Sequence, residues 1–182
     1  VNKLGIDAYK DRYFDFFGPK FLDGMTIAIY EHSGVARDLL HDLFSSLGAK
    51  TISLGRSESF VPIDTEAVRR EDVDQAKSWA DNMSFDLLVS TDGDADRPLI
   101  ADEQGVFLRG DIVGILTAKY LGLNHVVTPI SSNSALEGSG LFTKTIRTRI
   151  GSPYVIAGMG ECFDHAKVKV GGYEANGGFL LG

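Results

Sequence analysis

The sequence predicts an α/β fold of two tandem α/β units, with mixed, mostly parallel sheets flanked by helices. Short apolar runs rich in β-branched residues alternate with helix-length amphipathic stretches, the order that builds a parallel sheet covered on both faces. That alternation is broken once, near residue 102, by a hairpin pattern, and then begins again. The composition is that of a globule: with 182 residues, 43% hydrophobic and 24% charged, the chain is too apolar for disorder and too polar for a membrane protein.

Taken in order, Asp7 to Phe17 carries Tyr9, Tyr13, Phe14, Phe16 and Phe17 and reads as a helix packing on a neighbour outside the chain. Met25 to Tyr30 is a β-rich run. The turn His32-Ser33-Gly34 then leads into a helix over Val35 to Leu47, with Leu39, Leu40, Leu43 and Phe44 on one face. Gly48 ends that helix as a C′ glycine, and Lys50 to Leu54 is the next strand. Thr65 to Asn82 is helix-sized, with the Thr65 hydroxyl as its cap, and Asp86 to Ser90 follows as a strand. Leu99 to Ala101 and Val106 to Leu108 flank a turn in which Gly105 takes the positive φ. A helix over Asp111 to Leu121, strands at His125 to Thr128 and Thr145 to Ile150, a helix over Pro153 to Ala166 and a strand at Lys167 to Val170 complete the order. Residues 1–101 thus read as one unit and 102–182 as a second.

Eighteen Lys and Arg against 25 Asp and Glu give a net charge of −7, and the basic residues do not cluster, so nucleic acid is excluded as a partner. No stretch approaches the roughly 20 apolar residues that span a bilayer. The single cysteine, Cys162, makes no internal disulfide, and with no charged-then-apolar leader in view the reading is cytoplasmic. The chain opens on Val1 rather than Met and stops just past a glycine-rich turn, so both ends read as cut.

The segment Thr91-Asp92-Gly93-Asp94-Ala95-Asp96-Arg97 follows an apolar strand, at the strand end where ligands of open α/β sheets sit. Its three carboxylates repel one another unless a cation offsets them. Alternate residues of a straight strand stand about 6.6 Å apart, too far for three oxygens to meet one Mg²⁺ at about 2.0–2.1 Å. The backbone must therefore curl, and the small residues Gly93 and Ala95 permit it. Arg97 adds a planar fork suited to phosphate oxygens. A calcium EF-hand matches D-x-D-x-D and Glu103 at the twelfth position, but Arg97 stands where that loop needs glycine, and strand-like runs stand where it needs helices. Haloacid dehalogenase-type phosphatases place D-x-D after a strand, but with a small hydroxyl or β-branched residue where this chain has Asp96. A solvated acidic turn is the plain alternative.

The second cluster, Gly171 to Gly178, reads as a turn in which glycines bring backbone close to a ligand while Glu174 and Asn176 grip vicinal hydroxyls of a sugar; a plain surface turn fits it as well. It lacks dinucleotide-loop spacing, and Gly34-Val35-Ala36-Arg37 lacks the lysine of a phosphate-cradling loop. His32 reads as a turn residue or cap, His41, His125 and His165 as surface or helix-face residues, Cys162 as a buried inert thiol, and the Trp79 helix as core plus solvated face.

The Thr91 to Arg97 loop resembles the magnesium loop of the α-D-phosphohexomutases, the phosphomannomutase and phosphoglucomutase superfamily. Leu43 to Leu54 resembles that family's second domain. Arg149 to Val155 resembles its third, as does the Tyr173 to Gly178 loop, which aligns with a sugar-recognition loop of glycine, glutamate, any residue, serine, glycine. The resemblance implies a four-domain enzyme of which this chain covers the second domain and most of the third. It implies reversible phosphoryl transfer between the 1- and 6-positions of a hexose phosphate, through a phosphoserine and a bisphosphorylated sugar. It further implies Mg²⁺ on Asp92, Asp94 and Asp96, Arg97 as phosphate clamp, and Glu174, Asn176, Gly172 and Gly178 as substrate contacts. The implied partners are mannose or glucose 1- and 6-phosphates and the missing flanking domains. Those domains would carry the phosphoserine and the loop for the substrate's own phosphate, so the chain alone is expected to be inactive. Asn176 departs from the usual serine, Gly178 and Ser152 from histidines, and Ser131 from a lysine, with Arg147 or Arg149 as replacement charge. Those departures leave substrate identity and the acid/base residues open. The reading is a phosphomannomutase ahead of a phosphoglucomutase; the alternatives are a haloacid dehalogenase-type phosphatase using Asp92 and a non-catalytic sugar-phosphate binding module.

Overall fold

The computed structural model describes residues 3–162 and 168–182, arranged in two compact units. The first comprises Val1–Asp64, Val68–Ala95 and Ile100–Phe107, and the second Thr65–Ala67, Asp96–Leu99 and Leu108–Gly182. Among the described residues no helix is long and apolar enough to cross a membrane.

The first sheet holds β1 (Thr26–Tyr30), β2 (Lys50–Leu54), β3 (Leu87–Thr91) and β4 (Pro98–Ala101), in the order β2-β1-β3-β4. β1 is parallel to both of its neighbours. With α1 (Lys3–Phe17), α2 (Arg37–Ser46) and α3 (Arg70–Asn82) these elements follow the predicted alternation. The two-residue period of a strand decides which helix covers which face. Ala28 and Tyr30 of β1, with Leu88, meet Ala76 and Trp79 of α3; Ile27 and Ile29, with Val89, meet Leu40 and Phe44 of α2.

The second sheet holds β5 (His125–Pro129), β6 (Lys144–Thr148), β7 (Val170–Tyr173) and β8 (Phe179–Leu181), in the order β6-β5-β7-β8. β5 is parallel to β6 and β7, and β8 is antiparallel to β7. Val126 faces Ile115 and Ala118 of α4 (Gly110–Tyr120) and Leu136 of α5 (Ala135–Gly138). Val127 faces Val155 and Met159 of α6 (Ser152–Gly160), with the buried Cys162 beside them.

In both sheets the first strand laid down lies between the next two, so the chain leaves it to one side and returns on the other. The crevices this opens, at the carboxyl ends of β1 and β3 and of β5 and β7, are where open α/β sheets bind ligands. His32 and Asp92 follow the first pair, and Ser131 and Glu174 follow the second.

Several boundaries differ from the sequence reading. The helix expected from Thr65 begins at Arg70, because the buried Thr65 hydroxyl donates to the Asn176 carbonyl in the second unit instead of capping. The hairpin at 102–107 belongs to the first unit: Gly105, at φ 72°, lies against the backbone of Ala76, and Phe107 packs on the α3 core. The helix expected over 153–166 ends at Gly160, and its residues 163–166, with His165, lie outside the described residues. The strand expected at 167–170 runs instead from Val170 to Tyr173; residue 167 lies outside the described residues.

Candidate functional site

The acidic loop begins where β3 ends. Asp92, Asp94 and Asp96 each place a carboxylate oxygen within 4.8 Å of the other two, with Asp92 buried and the others exposed. Curling is achieved at Ala95, whose φ of 65° lies in the left-handed region, while Gly93 does not take a positive φ. The Asp92 carbonyl accepts from Thr91 Oγ1 at 2.8 Å and from the Ala95 amide at 3.3 Å, and the Val35 amide donates to the Gly93 carbonyl at 3.1 Å. Oxygens around Mg²⁺ at 2.0–2.1 Å stand at most about 4.2 Å apart, so a small inward turn of the exposed side chains makes this trio a fit for a hard divalent cation. Arg97 Nε lies 3.6 Å from Asp96 Oδ1, which keeps its guanidinium beside the loop.

His32 is the site-adjacent residue that the sequence reading passed over. It is 1% exposed, sits at φ 34°, and holds its Nε2 3.0 Å from the carbonyl of Thr91, the residue before Asp92. Burial, the largest influence, holds its pKa below the ordinary imidazole value, so the ring is neutral at pH 7. A signal was present in the sequence, a polar residue separated by one position from the end of a buried strand and before Ser33-Gly34, but nothing there showed the burial.

In the second unit Glu174, Asn176 and Ser131 line one small cavity of about 90 Å³ with Glu66, Pro129, Ile150 and Ala175. The loop is tied down by its own backbone: Glu174 N donates to Gly178 O at 2.9 Å, Gly177 N to Glu174 O at 3.0 Å, and Gly178 N to Asn176 Oδ1 at 2.9 Å. Gly178 lies beside both side chains. Gly172 does not join them. It is buried within β7, where a Cβ would run into Val155 Cγ1, so its place in the fold is packing rather than a turn open to ligand. Within the second unit Pro98 lies against Gly177. No sequence spacing announced Glu66, which only the tertiary fold brings to Glu174.

Arg147 is occupied by structure. It forks onto Glu137 with two bonds of 2.7 Å and donates to the carbonyls of Pro129, Ser132 and Asn133, which fixes the loop carrying Ser131. Arg149 is exposed, with its guanidinium over the Tyr154 ring at 5.7 Å from the centroid. His41 is also not a plain surface residue: its Nε2 lies 2.7 Å from the buried Glu31 carboxylate.

Residues 10–105 match the family model described as phosphoglucomutase/phosphomannomutase, alpha/beta/alpha domain II. The chain belongs to the phosphoglucomutase/phosphomannomutase family. A phosphomannomutase of Salmonella muenchen is 50% identical over all 182 residues of this family member, which span 38% of that relative. A phosphoglucosamine mutase of Anaeromyxobacter sp. (strain Fw109-5) is 33% identical over 167 residues, with 85% of the chain and 35% of the relative covered. Among solved structures, a phosphoglucomutase/phosphomannomutase family protein of Burkholderia thailandensis superposes with a TM-score of 0.74 at 17% identity, covering 97% of this chain and 39% of that one. That likeness shows that the phosphoglucomutase/phosphomannomutase fold runs through both units.

Proposed function

We propose that this chain supplies the metal loop and a sugar-binding loop of a Mg²⁺-dependent phosphohexomutase. Its reaction would be reversible phosphoryl transfer between the 1- and 6-positions of a hexose phosphate, with mannose phosphates ahead of glucose phosphates. The observation that carries the reading is the convergence of Asp92, Asp94 and Asp96 to within 4.8 Å at the end of β3, in a chain of this family. A divalent cation held there supplies positive charge to a transferring phosphoryl group.

The chain's own groups do the rest. Arg97 orients phosphate oxygens from beside the loop, and the Glu174 carboxylate accepts from sugar hydroxyls at the rim of the small cavity. Asn176 Oδ1 is engaged with Gly178 N, so its amide nitrogen is the group that faces a ligand. The phosphoserine that exchanges phosphate with the sugar is supplied by polypeptide outside this chain. We place the reaction in the cytoplasm, where the lone Cys162 thiol stays reduced.

Isothermal titration with Mg²⁺ tests the reading. The chain should bind weakly, since it lacks the phosphoserine ligand, and Asp94→Asn should abolish the heat; an Asp94→Asn chain that binds as well as the parent would overturn it. Hydrolysis of p-nitrophenyl phosphate with a trapped aspartyl phosphate at Asp92 would instead make the protein a phosphatase.

A further inference from the structure

His32 combines features that are each costly. Its backbone sits in the left-handed region, where a non-glycine residue is strained, and its ring is buried with Nδ1 lacking a hydrogen-bond partner. Gly34 is shaped to the ring as well: a Cβ there would lie 3.0 Å from His32 Cε1 and 3.1 Å from Nε2. The turn is pinned from outside, since the His32 carbonyl accepts from Ser57 N at 2.9 Å, and the ring stands edge-on to Tyr30 at 5.4 Å. What this arrangement delivers is one bond, Nε2 to the Thr91 carbonyl at 3.0 Å. A carbonyl only accepts, so Nε2 carries the proton and the bare Nδ1 is left over.

We propose that His32 is a positioning residue for the acidic loop: by holding the Thr91 carbonyl it sets the direction in which Asp92, the buried member of the trio, enters the loop. The inference rests on the metal reading of that loop. Partners that orient ligands from behind commonly change metal affinity by about 10- to 100-fold when removed. Thr91 Oγ1 and the Ala95 amide hold the next carbonyl, that of Asp92, while on the Thr91 carbonyl the His32 bond at 3.0 Å is shorter than the 3.4 Å reach of Ser90 Oγ, so His32 is the closer side-chain hold on the peptide entering Asp92.

The test uses Mn²⁺ titration of the 182-residue chain, followed by the electron paramagnetic resonance signal of free Mn²⁺. His32→Asn suits the left-handed backbone but is too short to reach Thr91, so it should fold and bind about 10-fold more weakly or worse. His32→Gln reaches with an amide N–H and should recover most of the loss, although the left-handed backbone suits it less. Parent-like binding by His32→Asn, or a loss as large in His32→Gln, would overturn the proposal. A second measurement needs no metal: ¹⁵N shifts of the His32 ring should show a proton on Nε2 and none on Nδ1, and the opposite tautomer would also overturn it. If the parent chain binds no Mn²⁺ while the tautomer is as stated, it is the metal reading that fails, and the role toward Asp92 falls with it.

Discussion

Ala95 holds the left-handed backbone on which the acidic loop turns. An L-residue there is strained by roughly 1–2 kcal/mol relative to the right-handed region, and a β-branched side chain is strained further. Ala95→Val should therefore destabilise the chain by about 1–2 kcal/mol in urea unfolding and weaken Mg²⁺ binding with it. Ala95→Gly should leave stability within about 1 kcal/mol, the relief of strain offsetting the added chain entropy. The need for a curl was legible in the sequence, because three carboxylates at alternate positions cannot meet one ion from an extended strand. Which residue would bend was not legible, since glycine and alanine are both small and only the fold assigns the positive φ.

At the scale of elements, Glu31 ties the end of β1 to α2 and β2. Burial by itself would raise its carboxyl, but hydrogen bonds from Ser53, His41 and Arg56 outweigh burial and hold its pKa below the ordinary value. A carboxyl lowered on folding stabilises fully above its unfolded pKa, near 4.3, and that stability is lost as pH falls through the lower folded value. Glu31→Gln should cost about 1–3 kcal/mol at pH 7 and flatten the acid limb of the stability profile, as read by denaturant midpoints from pH 7 to 3. An unchanged acid limb would remove Glu31 from that role. β7 offers a second check. Gly172→Ala should lower stability by about 1–3 kcal/mol through overpacking against Val155 and Met159; a variant as stable as the parent would contradict the packing assignment. The glycine run was visible in the sequence, but its first two members read as turn because a glycine in a strand and a glycine in a loop look alike until the facing side chains are known.

For the molecule as a whole, the net charge of −7 and isoelectric point near 5.0 predict a solubility minimum close to pH 5, checked by turbidity between pH 4 and 8. A minimum near neutrality would mean that the acidic groups are largely neutralised by bound cations. The sequence by itself determined the α/β class, most strands to within a residue or two, and the trio Asp92, Asp94 and Asp96, because strand period, helix period and short-range loop chemistry are local properties of the chain. Only the tertiary structure decided that Thr65 serves the second unit, that Arg147 is consumed by Glu137 and three carbonyls, that Glu66 joins Glu174, and that His32 is buried beneath Thr91. Each of these depends on which residues distant in sequence come to lie together, and that is fixed only once the strands have been placed side by side.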